Sequence, residues 1–431
     1  MNKYIKISVV LINVLGVLIL PRCVFAQPAS LEDLLKEAID HNPRVQAAYQ
    51  QWQAAEHKVA IVKSLPDPMA SYGYFGESVE TRVGPQKQKF GLSQKVPFPG
   101  KLGLQAKAQT KRAEMMKEKY EAAKQDIIKN VKFVYYDLFW VDKAVQITKE
   151  EKAILENLEQ VARKKYEIDL AAQQDALKAQ VELTKLTNKL YLLGQNRESL
   201  AAKMNSLLNR DKDTPIGTVS DVDPALFNTP LEDLLKTAKA SRQELKASRL
   251  AVEKAKYETS LARMDSLPDF TVGMDYIDTG SGTTTRSDDG KDAWMAMVSV
   301  NLPFWFNKKV SEVKEKKAEL AAANSSAVDM ENEVVYEVKD LYFKIMTYQD
   351  TISLYKNALI PQSDQAFDAA RLGYESGKVD FLNWLDAERN TLQTRLAYYQ
   401  SITDYLKSVA YLQRVVGHDL PAAVEDKGGR Q

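Results

Sequence analysis

Apolar positions along the chain keep two different periods, and the switches between them set out its elements. Leu31 to Lys36 reads LEDLLK, apolar at helical spacing behind Ser30, a residue type that caps helices. A second amphipathic stretch runs to Ser64-Leu65-Pro66-Asp67. Pro66 ends it, because proline has no backbone donor and clashes with the preceding turn. The period then falls to two. Tyr72 and Tyr74 mark one run and Phe90 and Leu92 another, joined through Gly84-Pro85, so strands are expected near 67–76 and 87–97. After VPFPGK (Val96 to Lys101) there is no Gly or Pro from Leu104 to Leu193. A helix from Leu102 to a fold-back near Tyr166 would measure about 100 Å at helical rise, longer than a globular core requires.

The same order then returns. LEDLLK recurs at Leu231 to Lys236 behind Pro230, and SLPD recurs at Ser266 to Asp269. Phe270, Val272, Met274 and Tyr276 alternate with Thr271, Gly273 and Asp275, and Trp294, Ala296, Val298, Val300 and Leu302 share one face of a return run. These predict strands near 269–278 and 292–303. LPFWFNK (Leu302 to Lys308) echoes VPFPGK. A long helix follows from Asn307, with Pro361 expected to interrupt it and a fold-back near Tyr374. The returning helix carries Leu385, Leu392, Tyr399 and Leu406 at seven-residue spacing, with Ile402 and Val409 between, a coiled-coil seam. The chain is a duplication with a period of about 200 residues, too long for a solenoid. Its expected parts are a first repeat at 27–229, a second at 230–417, and a tail at 418–431. The fold class is mainly α with a small β part, built twice on a helix-helix-hairpin-long helix-helix plan.

Four strands cannot cover their own two edges. Several copies can pool strands into one closed barrel, and three copies give twelve strands, within the range of outer-membrane barrels. The competing reading is a small soluble sheet capping a helical protein. Aromatics favour the barrel. Phe98 sits at one strand–helix corner and Phe304, Trp305 and Phe306 at the other, followed by Lys101, Lys308 and Lys309, as at a membrane–water interface. In the first corner Pro97 and Pro99 would end the ladder, and Gly100 would allow the tight turn into the helix.

The first residues add a compartment. Lys3 and Lys6, the apolar run Ile5 to Leu20, and Val24 with Ala26 fit a secretory signal at 1–26. Cys23, the sole cysteine, lies within it, so no disulfide, thiolate metal site or cysteine nucleophile is expected afterwards. Without Lys3, Lys6 and Arg22 the formal charge of +1 becomes −2 (1 − 3), which gives no bulk attraction to nucleic acid. The three histidines, His41, His57 and His418, have no metal-ligand spacing, and no glycine-rich phosphate loop follows a strand. Catalysis and cofactors are therefore not expected. A periplasmic coiled-coil adaptor or structural protein is the alternative, but an adaptor should show one helical hairpin between β-rich modules.

The order helix, SLPD, hairpin, PFPGK, long helix, tyrosine turn and returning helix, given twice, resembles the TolC-type outer-membrane factors of bacterial efflux pumps. LIPQSDQAFDAARLGYESGKVDFLNWLDAERNTL in the second half is especially similar. The resemblance covers the mature chain to about Gly417. It implies a homotrimer in outer-membrane lipid, a twelve-stranded barrel continuous with a twelve-helix periplasmic tunnel. Its partners would be a periplasmic adaptor and an inner-membrane transporter, as in tripartite efflux or type I secretion, with no cofactor of its own. It further implies a tip latch, in which Tyr374 matches the family's tyrosine and Asp175 its carboxylate partner. The latch arginine position holds Val379, with Lys378 beside it. Of two aspartates that would ring the periplasmic constriction, Asp386 matches one. Asn383 stands at the other, and Asp380 could supply the missing charge. PFPGK is reminiscent of the heavy-metal efflux branch.

Overall fold

A computed structural model of the chain describes residues 30–219, 221–283, 285–418 and 424–425. The expected signal at 1–26 and most of the tail lie outside these residues. The duplicated hexamer begins α1 (Leu31–His41) and α5 (Leu231–Ser241), and each helix buries the same two positions, Leu34 and Ala38 in one, Leu234 and Ala238 in the other. Ser30 stands at the first N-cap, but its side chain accepts no bond there. The side-chain cap belongs to α2 (Pro43–Lys63), where Asn42 accepts from Arg44 N at 2.9 Å. Its counterpart is α6 (Gln243–Met264).

From these short helices the chain enters the strands β1 (Met69–Thr81) and β2 (Gly84–Val96) in the first half, and β4 (Phe270–Thr279) and β5 (Ala293–Val300) in the second. The order across the sheet is β1-β2-β4-β5, all antiparallel, so β1 and β5 are left as edges. The first hairpin is longer than its apolar alternation suggests. The last strand stops at Val300, short of 303, since Pro303 cannot donate to a ladder. A two-residue pair, β3 (Asp223–Pro224) with β6 (Val424–Glu425), ties the mid-chain connection to the C-terminal region.

Below the sheet run α3 (Lys101–Glu167), α4 (Gln173–Leu208), α7 (Phe306–Leu354), α8 (Ile360–Glu375) and α9 (Phe381–Val416). No helix among the described residues is long and apolar enough to cross a membrane. At 67 residues α3 is about 100 Å long. Pro361 does not interrupt the second run. The chain passes through a π-helical turn, Tyr355–Leu359, and stays helical with Pro361 in the first turn of α8. The widened turn makes room for the proline ring and absorbs its missing donor.

The two turns at the far end share one backbone feature. Asp169 has φ 59° and Gly377 φ 74°, and each lies three residues after the paired tyrosines Tyr166 and Tyr374. The first turn therefore needs no glycine, because Asp tolerates the left-handed region. Two apolar cores serve the helices. The larger, with Leu34, Phe139, Met204, Val338, Tyr405 and Leu412, gathers the short helices against the middle of the long ones. The smaller, with Leu155, Ala179, Trp384, Leu385 and Leu392, holds the far end together.

Candidate functional site

Side chains that share a register share a face. Tyr72, Phe90, Tyr276 and Trp294 form one aromatic row across all four strands, and the Tyr72 and Phe90 rings pack tilted with 5.3 Å between centroids. Leu92, Val272, Met274, Val298 and Val300 are exposed on the same face. The opposite face carries Ser71, Gly73, Lys89, Gly91, Ser93, Thr271, Asp275 and Ser299, small or polar, with Lys89 Nζ 2.7 Å from Asp275. One face is thus mainly apolar and the other mainly small or polar, with Met295 and Met297 as exceptions on the second, the division a membrane barrel uses.

At the corner below, Gly100 takes φ 98° and precedes α3 directly. Phe304, Trp305 and Phe306 are exposed, while Phe98 is half-buried. Lys101 does not follow the sequence expectation of an interfacial cation. It is only 5% exposed, and its ammonium donates to Leu267 O at 2.9 Å and Asp269 Oδ1 at 2.8 Å. Asp269 also accepts from Phe98 N at 3.0 Å and lies 3.3 Å from Lys95. The SLPD of the second half therefore pins the PFPGK of the first. Both motifs are visible in sequence, but nothing local says that they meet.

At the far end the structure brings Tyr374 and Asp175 together. Tyr374 is buried against Phe381 and Trp384, with ring centroids at 5.6 and 5.2 Å. Its hydroxyl faces Asp175 without closing a hydrogen bond. Burial, and then the Asp175 charge, push the phenol up to about 12. Burial likewise raises the Asp175 carboxyl, against the opposing pull of Lys178 and the Tyr374 hydroxyl. The cation here is Lys165, which sequence reasoning missed. Its ammonium lies 4.5 Å from the Tyr374 ring centroid and donates to the carbonyls of Tyr374 and Glu375. Lys378 is exposed and has no side-chain partner among the described residues; its backbone N–H donates to Gly373 O at 2.8 Å. Asp380 caps α9, accepting from Asn383 N at 2.9 Å. Asn383 and Asp386 are exposed further along that helix, with Asn390 3.4 Å from Asp386.

A family model described as outer membrane efflux protein matches residues 34–210 and 234–418, one match for each half. The chain belongs to the outer membrane efflux protein family. The cobalt-zinc-cadmium resistance protein CzcC of Cupriavidus metallidurans is 20% identical over 399 residues, 91% of each chain. The outer membrane protein TolC of Vibrio cholerae is 21% identical over 415 residues, 90% of each. Among solved structures, VceC of Vibrio cholerae is similar with a TM-score of 0.76 and 17% identity, covering 90% of this chain and 96% of that one. CusC gives 0.79 and 15%, covering 92% and 94%. The fold is that of these outer-membrane channels, and the adaptor alternative falls.

The channel holds one more group that sequence reasoning passed over. Glu151 on α3 and Glu388 on α9 are 1% and 2% exposed in the seam between the two hairpins. An oxygen of each lacks a hydrogen-bond partner. Burial, and then the charge of Glu151, push Glu388 up to about 8. The signal was present, since Glu388 falls inside the Leu385–Leu392 repeat at a core position, where an acid is out of place. No group of three or more His, Cys, Asp and Glu able to hold a metal occurs among the described residues.

Proposed function

We propose that three copies form one passive conduit through the outer membrane, receiving substrate from an inner-membrane transporter by way of a periplasmic adaptor. The observation that carries this is the sheet. It has an apolar face, a polar face and two unpaired edges, and it sits on helices about 100 Å long. Unpaired edges cost several kcal/mol per backbone group in lipid. A cyclic trimer pairs β5 of each copy with β1 of the next and leaves none.

Two girdles bound the apolar band. The Tyr72–Phe90–Tyr276–Trp294 row marks its outer level, and Phe98, Phe304, Trp305 and Phe306 mark the inner rim. Phe270 to Tyr276 alone spans about 20 Å of strand. The helices then lie in the periplasm. At their tip Lys165 holds the second hairpin against the first through the ring and carbonyl of Tyr374, whose hydroxyl faces Asp175. Asp386, with Asp380 and Asn383 nearby, narrows the entrance. Three copies of Asp386 converging on the axis would attract cations and gate small ions. The protein supplies no chemistry, and energy comes from the transporter.

The likeness to CzcC and the PFPGK corner favour the heavy-metal branch. Deleting the gene should raise sensitivity to cobalt, zinc and cadmium ions before sensitivity to hydrophobic drugs; the reverse order would overturn the metal reading. The purified protein should run as a trimer by native mass spectrometry and conduct in planar bilayers. A monomer without conductance would overturn the conduit itself.

A further inference from the structure

We propose that Glu151 and Glu388 form a proton-held clasp between the two helical hairpins, in which one shared proton keeps α9 on α3 and its release lets the tip open. The proposal rests on the conduit reading, since it assigns the pair to the seam along which one hairpin would move off the other.

The pair sits in a layer of buried polar groups within an otherwise apolar seam. Ile147 and Leu155 flank Glu151 on α3, and Leu385 and Leu392 flank Glu388 on α9. Thr148 and Thr391 are buried beside them; Thr391 Oγ1 donates to Ser363 O on α8 at 3.2 Å. Charges face the layer from every neighbouring helix. Glu150 comes from α3, and Glu182 and Lys189 come from α4. Asp364 comes from α8, with Arg389 and Arg395 from α9 itself.

These cations compensate the pair only in part. Arg395 reaches Glu151 only at 3.8 Å and is held by Asp364 at 3.0 Å. Arg389 is engaged by Glu182. Burial lowers the affinity of Lys189 for its proton, while the charge of Glu388 opposes that fall. Two carboxylates in so dry a site repel and leave oxygens unsatisfied, so the stable arrangement holds a single proton. With that proton, one carboxyl donates to the other. When the pH rises that proton passes to water, and the two anions left behind gain by parting into solvent. Parting the helices hydrates both groups, because Glu151 on α3 and Glu388 on α9 are each buried where the two helices meet.

The sign follows. Glu388 in the closed tip keeps its proton to about pH 8, whereas in an open, hydrated tip it would titrate near the ordinary carboxyl value. The closed state binds the extra proton, so raising pH favours opening.

The test uses the full-length channel in planar bilayers between pH 6 and 9. Wild type should show a several-fold rise in open probability across pH 7–9. Glu388→Gln, which keeps the donor and removes the charge, should stay closed throughout, and Glu151→Gln should flatten the same rise. Asp386→Ala should change cation block and leave the rise in place. A Glu388→Gln channel that opens with pH as wild type does overturns the clasp. A channel that conducts but shows no rise overturns it equally, whereas absence of conductance in every protein overturns the conduit reading instead. A second readout does not depend on current. Trp384 is 3% exposed beside the seam, so its emission should move to the red between pH 7 and 9 in wild type and stay fixed in Glu388→Gln. Equal shifts in both would also sink the proposal.

Discussion

At the residue scale, the side chains that matter most are cations that hold the two halves of the duplication against each other. Lys101 is buried with Asp269 as its close anion, and removing one partner of such a pair leaves a charge without compensation. Asp269→Ala should cost about 3 kcal/mol, read as a lower urea midpoint in detergent by tryptophan fluorescence. A change within 0.5 kcal/mol would show that Asp265, 3.6 Å from Lys101, suffices alone. At the tip, the Tyr374 hydroxyl makes no hydrogen bond, so Tyr374→Phe should leave single-channel conductance near wild type. Lys165→Ala removes a cation–π contact worth about 1 kcal/mol and two bonds to carbonyls, and should enlarge the current. If the Phe variant leaks more than the Ala variant, the hydroxyl carries the latch and Lys165 does not.

At the element scale, the duplication is kept in backbone and relaxed in side chains. The left-handed residue falls at the same point of both tip turns, as Asp169 in one and Gly377 in the other. The tyrosines diverge, since Tyr374 is buried while Tyr166 is exposed. Capping diverges too: Asp380 caps α9, but Ala172 at the start of α4 has no side chain to do so. The π-helical turn before Pro361 is the other asymmetric feature. Pro361→Ala restores a donor and removes the ring that the wide turn accommodates. It should stabilise the fold by about 1 kcal/mol or more, read as a higher thermal midpoint by circular dichroism. A lower midpoint would mean that the turn is held by its packing on α9 instead.

At the scale of the whole molecule, the join between halves shows how copies can join. Within the chain, Ser93 on β2 lies opposite Gly273 on β4. The SLPD motifs place Ser71 where Gly273 stands, and the LPF and VPF corners place Ser299 where Ser93 stands. The two hairpins pair in matching register under these equivalences, Met69 with Ser93 and Thr271 with Ser299. Asp67 is the counterpart of Asp269 and is exposed; in the proposed trimer its partner would lie on the next copy. Cysteines at Ser71 and Ser299 should therefore form disulfides between copies and yield a covalent trimer on denaturing gels. Crosslinking only from a position two residues away would show that the joint between copies departs from the joint within one. Asp386→Ala, in the same trimer, should weaken multivalent-cation block; unchanged block would remove Asp386 from the constriction.

Much was readable in the sequence because it rests on neighbouring residues. The switch from period two to helical period, the absence of Gly and Pro after Leu104, and the repeated LEDLLK, SLPD and proline corners gave the element order, the duplication and the family resemblance. What only the tertiary structure decided lies between distant segments. Lys101 meets Asp269 across 168 positions and Lys165 meets Tyr374 across 209. Neither separation leaves a local trace: in sequence Lys101 looks like an interfacial cation and Lys165 like a solvated charge. The same holds for Glu388, whose core position could be counted but whose partner Glu151 could not. Backbone form follows from consecutive residues through sterics and hydrogen bonding. The burial of a charge, and with it the proton it keeps, follows from which other helix comes to cover it.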